Sequence, residues 1–473
     1  MTRRWVLGVV MIVAACRSHG ESPAVRQAHA WLAAFSSQDR AKIAEFHAEH
    51  WKHDPGEDVN AIVDRELQFS YMTGGFVAKK LEQATATRAT LVVREQDSEQ
   101  FARLAMEVED AEPHRVTKMQ LEAIDTPDEF REPRRSEPEA LAALRGELDR
   151  VVARDRFAGA VLIASRGKPI FAQAYGLADR ERRVPNTLAT QFRIGSMNKM
   201  FTATAVLQLV QAGKLAVREP LGEVVRDYPN AAVASKVTLH HLLTHTGGTG
   251  DIFGPEFDAH RLELRTHDDY VKLYGKRDLA FEPGARWDYS NYGFVLLGVV
   301  LERATGKSYY DAVHELVYAP AGMTATASEP EEAAVPARAT GYTRRAPTEP
   351  WKPNTDTLPY RGTAAGGGYS TVGDLLRFGN ALTGHVLLDA DHTELLTRGK
   401  VDMGPGRKYA YGFGDTTSDG VRCVGHNGGA PGMNGDLEIC DSGYTIVVLA
   451  NLDPPAATRI SDFIARRLPA HAP

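Results

Sequence analysis

Phe192-Arg-Ile-Gly-Ser-Met-Asn-Lys-Met-Phe201 is the stretch on which the reading of this 473-residue chain turns. It sets Ser196 three residues before Lys199, with Gly195 just ahead of the serine. Behind it run Met200, Phe201, Ala203, Ala205, Val206, Leu207, Leu209 and Val210, apolar nearly all round, as in a buried helix that stops near Gly213. Residues i and i+3 share a helical face, so the first turn puts an amine beside a hydroxyl. A serine hydroxyl is a poor nucleophile at neutral pH, and an amine whose pKa is lowered by burial can take its proton. The positive end of the helix favours the alkoxide and any oxyanion that follows.

Ser165-Arg-Gly-Lys168 repeats the Ser-x-x-Lys spacing, but its Arg-Gly lies between two apolar runs, Ala160–Ala164 and Pro169–Tyr175, and reads as a hairpin turn. Further along, Glu282-Pro-Gly-Ala-Arg-Trp-Asp-Tyr289-Ser290-Asn291 carries Tyr-x-Asn in a loop that enters an amphipathic helix. Tyr228-Pro-Asn230 shares the spacing, with a proline inside it that marks a surface turn. A tyrosine near Lys199 is expected to have a lowered phenol pKa and to carry protons to a leaving group. An asparagine amide there can bridge the lysine and a substrate carbonyl. A third cluster is Val424-Gly-His426-Asn427-Gly428-Gly429-Ala-Pro-Gly432. Glycine lets a strand edge approach a ligand closely. A backbone N–H from this strand, joined to that of Ser196, makes a two-donor oxyanion hole.

Ser-x-x-Lys, then Tyr-x-Asn, then a His/Lys-x-Gly strand, in that order, resembles the serine β-lactamase and penicillin-binding-protein superfamily. Tyr-Ser-Asn in place of Ser-Asp-Asn is similar to its branch of class C β-lactamases, D-alanyl-D-alanine carboxypeptidases and family VIII esterases. Leu242-Leu-Thr-His-Thr-Gly-Gly248 and Ala365-Gly-Gly-Gly-Tyr-Ser-Thr-Val-Gly-Asp-Leu375 look like further landmarks of that branch. The resemblance spans roughly residues 137–470. It implies an α-β-α sandwich, an antiparallel sheet flanked by helices with an all-helical insertion. It also implies Ser196 as the acylated nucleophile, Lys199 as its base and Tyr289 as acid/base for leaving group and deacylating water, with Asn291 positioning substrate. His426, Asn427 and Gly428 stand where the family has Lys-Thr-Gly, and the Gly429 N–H follows as the second oxyanion donor. Neither a metal nor an organic cofactor is implied. The third motif departs from the pattern, because His426 is expected to be only partly charged at pH 7 and Asn427 replaces a hydroxyl. Carboxylate recognition, and with it β-lactam hydrolysis, is thereby weakened. Histidine is common at this place in members that act on esters, amides or D-amino-acid peptides. The expected function is a serine hydrolase forming an acyl-enzyme on such a small-molecule or peptide substrate. The alternatives are a β-lactamase or D,D-carboxypeptidase proper, and a catalytically silent module that binds cell-wall fragments.

A net charge of −6 without any basic tract leaves nucleic acid no electrostatic footprint. Arg3 and Arg4 precede the apolar run Trp5–Val13 and then Ala14-Ala15-Cys16. This is the pattern of an export signal, too short to span a membrane as a mature helix. Val13-Ala-Ala-Cys16 resembles a bacterial lipobox, which implies cleavage before Cys16, a diacylglyceryl thioether on it and attachment to the membrane of the cell envelope. Cys423 and Cys440 then remain, flanking a Gly-rich turn at the outer ends of two strands. They read as a cross-strand disulfide or as two buried thiols.

The expected order is a signal peptide over 1–15, a polar tether over 16–23, a small α+β domain over 24–125, a Pro/Arg/Glu-rich linker over 126–137 and the hydrolase domain over 138–473. Helical spacing over Val25–Phe35, Ala41–Trp51 and Val59–Tyr71, then alternating stretches at Gly75–Glu82, Arg88–Arg94, Phe101–Val108 and Val116–Ile124, define the small domain. Trp31-Leu-Ala-Ala-Phe-Ser-Ser-Gln-Asp-Arg40 resembles the opening of SnoaL-like cone domains. His47, His50 and His53 are read as solvated histidines at a helix C-terminus rather than metal ligands. In the second domain, strands are expected near Tyr411–Phe413, Gly420–Gly425, Gly435–Cys440 and Tyr444–Ala450, with a last helix from Ala457 to Leu468.

Overall fold

The computed structural model describes residues 21–473, and the stretch read as an export signal, with Cys16, lies outside the described residues. No helix among the described residues is long and apolar enough to cross a membrane. The chain divides into two units, one reaching to Arg131 together with Arg345–Pro347, the other formed by Glu132–Arg344 and Thr348–Pro473.

In the first unit α1 (Pro23–Ser36), α2 (Arg40–His50) and α3 (Val59–Thr73) precede four strands, β1 (Phe76–Ala84), β2 (Arg88–Glu95), β3 (Phe101–Val108) and β4 (Val116–Ile124). The strands form an antiparallel meander in chain order. Ser22, Asp39 and Asp58 cap the three helices with side-chain oxygens. Helix α1 therefore begins at Pro23, inside the stretch read as tether, because a proline at the first turn loses no hydrogen bond. Trp31 and Phe35 of α1 pack with Leu91, Val93, Leu104 and Met106 of the sheet. His47 is not solvated as its sequence context suggests but is 1% exposed. It faces inward from α2, with Nδ1 3.2 Å from His53 Nε2 and Nε2 3.2 Å from a Glu66 carboxylate oxygen.

In the second unit α4 (Glu137–Ala153) leads into β5 (Gly159–Ser165) and β6 (Lys168–Tyr175). Arg166 and Gly167 between them both hold positive φ, 48° and 75°, so the second Ser-x-x-Lys is a two-residue hairpin turn. Four helices organise the middle of the chain: α5 (Asn198–Gln211), α6 (Leu239–Leu243), α7 (Asn291–Thr305) and α8 (Val372–Thr383). The chain then returns to the sheet with β7 (Val401–Asp402), β8 (Arg407–Tyr409), β9 (Gly414–Ser418), β10 (Val421–Ala430), β11 (Met433–Cys440) and β12 (Tyr444–Ala450), and ends in α9 (Ala456–Ala465). The sheet is antiparallel throughout and runs β7-β8-β9-β10-β11-β12-β5-β6. Tyr411–Phe413, expected as a strand, is instead the turn joining β8 to β9, closed by the Ala410 N–H on the Phe413 carbonyl. Cys423 and Cys440 face each other across β10 and β11, and their sulphurs are bonded.

Both faces of this sheet are covered, which is why β5 and β12 are apolar at successive positions. Val161, Ile163, Ile446 and Val448 join α4 and α9 in one core, while Ala160, Leu162, Val447 and Leu449 join α5, α7 and α8 in the other. Helix α5 is thus buried almost all round, and only Gln208, Val210 and Gln211 escape full burial.

Candidate active site

Ser196 sits in a short 3-10 turn, Gly195–Met197, that runs straight into α5. Lys199 follows in the first turn of α5 and is 0% exposed. Its Nζ lies 3.1 Å from Ser196 Oγ and 2.8 Å from Asn291 Oδ1, and it donates to the Ala365 carbonyl. Burial pushes the Lys199 amine down to about 7, against a smaller upward pull from the Asp251 charge. A neutral amine has two N–H bonds and one lone pair. The two N–H bonds meet the two oxygens that can only accept, and the lone pair is left for the serine hydroxyl.

The segment after Thr363 is held to α5 by a set of buried contacts. Asn198 Nδ2 donates to the Thr363 carbonyl and Thr202 Oγ1 to the Ala364 carbonyl, and the Gly367 N–H donates to the Gly195 carbonyl. This is the structural content of the Ala365-Gly-Gly-Gly landmark. It delivers a carbonyl oxygen to the lysine.

Asn291 and Tyr289 arrive at the N-terminus of α7. Ser290 caps that helix through the Gly293 N–H, and its hydroxyl also donates to the Gly250 carbonyl. The adjoining Asp251 accepts from the Asn291 backbone N–H at 2.8 Å and from its Nδ2 at 3.2 Å. A carboxylate only accepts, so Asp251 fixes which way the Asn291 amide points and aims Oδ1 at Lys199. Asp251 has no periodic or motif signal of its own; it is a lone acid after Gly-Thr-Gly250. The Tyr289 and Ser196 side chains interact, and the Tyr289 ring centre is 4.7 Å from Lys199 Nζ. The expected lowering of its phenol pKa does not occur. Burial raises it, and the nearby lysine, itself desolvated, supplies no offsetting charge.

The Gly-rich strand packs directly on the serine turn. A Cβ on Gly428 would fall 1.9 Å from the Ile194 carbonyl oxygen and 3.0 Å from the Ser196 nitrogen, and one on Gly195 would fall 3.1 Å from the Gly429 nitrogen. Gly195 also holds φ +52°. Only hydrogen fits in this contact, which brings the Ser196 and Gly429 amides to one place. Asn427 is exposed on the same strand.

His426 is half-buried and is not partly charged as its sequence suggests. Burial and the Lys199 charge push its imidazole down to about 4. Its Nδ1 donates to the Asn427 carbonyl, and its Nε2 lies 3.0 Å from the Tyr409 hydroxyl. That hydroxyl is also 3.0 Å from His245 Nε2, and His245 Nδ1 accepts from the Ser290 N–H at 3.1 Å. His245 is 1% exposed, lies against Tyr289 with ring centres 4.2 Å apart and the planes tilted by 37°, and holds φ +58°. That φ is one an L-residue adopts only when its surroundings impose it. Within the sequence His245 was visible only as part of the Leu242–Gly248 landmark, and Tyr409 carried no signal.

A family model described as Beta-lactamase matches residues 143–471. Esterase EstB of Burkholderia gladioli is 38% identical over 212 residues, which cover 41% of this chain and 54% of the esterase. The crystal structure of a penicillin binding protein from Bacillus halodurans superposes with TM-score 0.61 at 32% identity, over 67% of this chain and 98% of that one. D-amino acid amidase from Ochrobactrum anthropi SV3, solved with D-phenylalanine, superposes with TM-score 0.58 at 25% identity, over 69% of this chain and 97% of the amidase.

Proposed function

The chain belongs to the beta-lactamase family, and from that premise we propose that it is a serine hydrolase that forms an acyl-enzyme on Ser196. The observation that carries this reading is the set of partners around Lys199 Nζ, whose two N–H bonds are spoken for and whose lone pair is left to Ser196. Ser196 Oγ attacks the substrate carbonyl carbon while its proton passes to Lys199. The carbonyl oxygen gains the charge and is held between the N–H groups of Ser196 and Gly429. Tyr289, kept protonated by burial, donates to the departing oxygen or nitrogen, and Lys199 returns a proton to the phenolate. Water then cleaves the acyl-serine by the same groups in reverse.

Neutral His426 supports a substrate class of esters, amides or D-amino-acid peptides over β-lactams, in keeping with esterase and amidase relatives. Outside the described residues, the Arg3–Cys16 pattern supports export and lipid anchoring at Cys16. The three-helix, four-strand order of the first unit supports a SnoaL-like cone.

The test uses the purified chain, wild type beside Ser196→Ala, with a fluorophosphonate probe, a short-chain p-nitrophenyl ester and nitrocefin. Labelling and ester cleavage that vanish in Ser196→Ala, with no nitrocefin turnover, are expected. Fast nitrocefin turnover selects a β-lactamase instead. A wild-type chain that neither labels nor turns over substrate refutes the hydrolase reading in favour of a silent binding module.

A further inference from the structure

We propose that His245 and Tyr409 are positioning residues that lock His426 as an uncharged imidazole, so that strand β10 offers acyl substrates a neutral wall in place of a carboxylate-binding cation. The proposal rests on the hydrolase reading above for its substrates, but not for its geometry.

The lock follows from counting protons. At one end the Ser290 backbone N–H can only donate, so His245 Nδ1 carries no proton and its Nε2 does. At the other end the Asn427 carbonyl can only accept, so His426 Nδ1 carries the proton and its Nε2 does not. Tyr409 stands between, 3.0 Å from each Nε2. Its oxygen accepts from His245 and its hydrogen goes to His426. Each donor in the chain meets one acceptor, and both tautomers are set by main-chain groups that cannot titrate.

Charging either ring breaks this order. A proton on His426 Nε2 would face the Tyr409 hydroxyl hydrogen, which is buried and would lose its acceptor. A proton on His245 Nδ1 would face the Ser290 N–H. Among the described residues the titratable neighbours of the two rings are Lys199, Tyr289, Tyr409 and each other, and no carboxylate among them contributes to holding a positive charge on either. An incoming acyl substrate with a carboxylate on the β10 side would therefore be desolvated without a cation to meet it. Neutral esters and amides carry no such penalty.

Two measurements test this. The first is nitrogen-15 NMR of the full chain labelled at histidine, with His245 and His426 assigned by single replacements. His426 is expected to be protonated at Nδ1 alone and His245 at Nε2 alone, unchanged from about pH 8 to about pH 5, well past an ordinary histidine's midpoint. Conversion of His426 to imidazolium in that window, or the opposite tautomer, overturns the lock whether or not the protein is a hydrolase. The second compares a p-nitrophenyl ester bearing a free carboxylate with a neutral p-nitrophenyl ester. Taking their kcat/KM ratio cancels the loss of Lys199 as base at low pH. The wild-type ratio is expected to stay flat with pH. In Tyr409→Phe the freed Nε2 can charge, and the ratio is expected to rise about tenfold on acidification, through KM, as a charged hydrogen bond to the carboxylate forms. Adding His426→Gln should remove that rise, which a merely structural role for Tyr409 would not predict. A flat ratio in folded Tyr409→Phe overturns the specificity claim, and if that variant does not fold the NMR result on wild type decides. Absence of Ser196-dependent cleavage of either ester refutes the hydrolase reading and leaves the tautomer result standing.

Discussion

In the proposed mechanism Lys199 can serve as a base only when it is unprotonated. Its amine is held at about 7, whereas the histidines around it titrate lower. The kcat/KM for a neutral ester is therefore expected to rise with pH and to level off above about 7, and a profile flat from about pH 5 to about pH 8 would contradict Lys199 as the base. Asp251 provides a signed check. Its charge pulls the lysine value upward, so Asp251→Asn should move this acid limb to lower pH. The same change lets the Asn291 amide turn its NH2 toward Lys199, and kcat/KM at the plateau should fall by about 5- to 100-fold, the size of one misdirected buried hydrogen bond. Tyr289 shows why residue-level inference from neighbours misled. Placing a phenol near a lysine lowers its pKa only if the lysine is charged, and in this site desolvation acts on both.

At the scale of elements, the site is a junction between the turn that opens α5, the start of α7 and strand β10. Gly428 is the tightest point of that junction. Gly428→Ala should force β10 off the Ile194–Ser196 turn, lowering stability by about 1–3 kcal/mol and kcat by roughly a hundredfold as one oxyanion donor moves out of place. Urea melts and esterase kinetics on the one variant would check both. Ser196 and Lys199 were legible because their relation lies within a single helical turn, and the Tyr-x-Asn and Gly-rich stretches because they are local too. Burial on both faces likewise left its mark on β5 and β12 as apolar runs. Asp251, His245 and Tyr409 were not legible, since each acts through a partner on a different element and no spacing in sequence encodes that pairing. Tyr411–Phe413 misled for a related reason: it is buried and aromatic like a strand, but it is a turn packed into the core.

For the whole molecule, the bridge between Cys423 and Cys440 closes a loop of 17 residues across β10 and β11. Replacing both by serine should lower the unfolding free energy by roughly 3 kcal/mol in chain-entropy terms. Ser196 labelling at 25 °C should be retained, because the bridge lies toward the far end of the strands from Gly428; equal stability with and without the bridge would count against its formation. The sheet order has a further consequence, in the making of the protein. β5 takes its second neighbour from β12, and Ser165 pairs with Tyr444. During synthesis the β5–β6 hairpin emerges early with one edge bare, and at about 5–20 residues per second the missing strand follows roughly 15 to 55 s later. Throughout that interval α4, made before β5, can already cover Val161 and Ile163, but the open edge of β5 has no partner and can pair with any passing strand. The seam between β5 and β12 cannot close until Tyr444–Ala450 has been made, so the sheet of this unit is completed long after its first hairpin has left the ribosome.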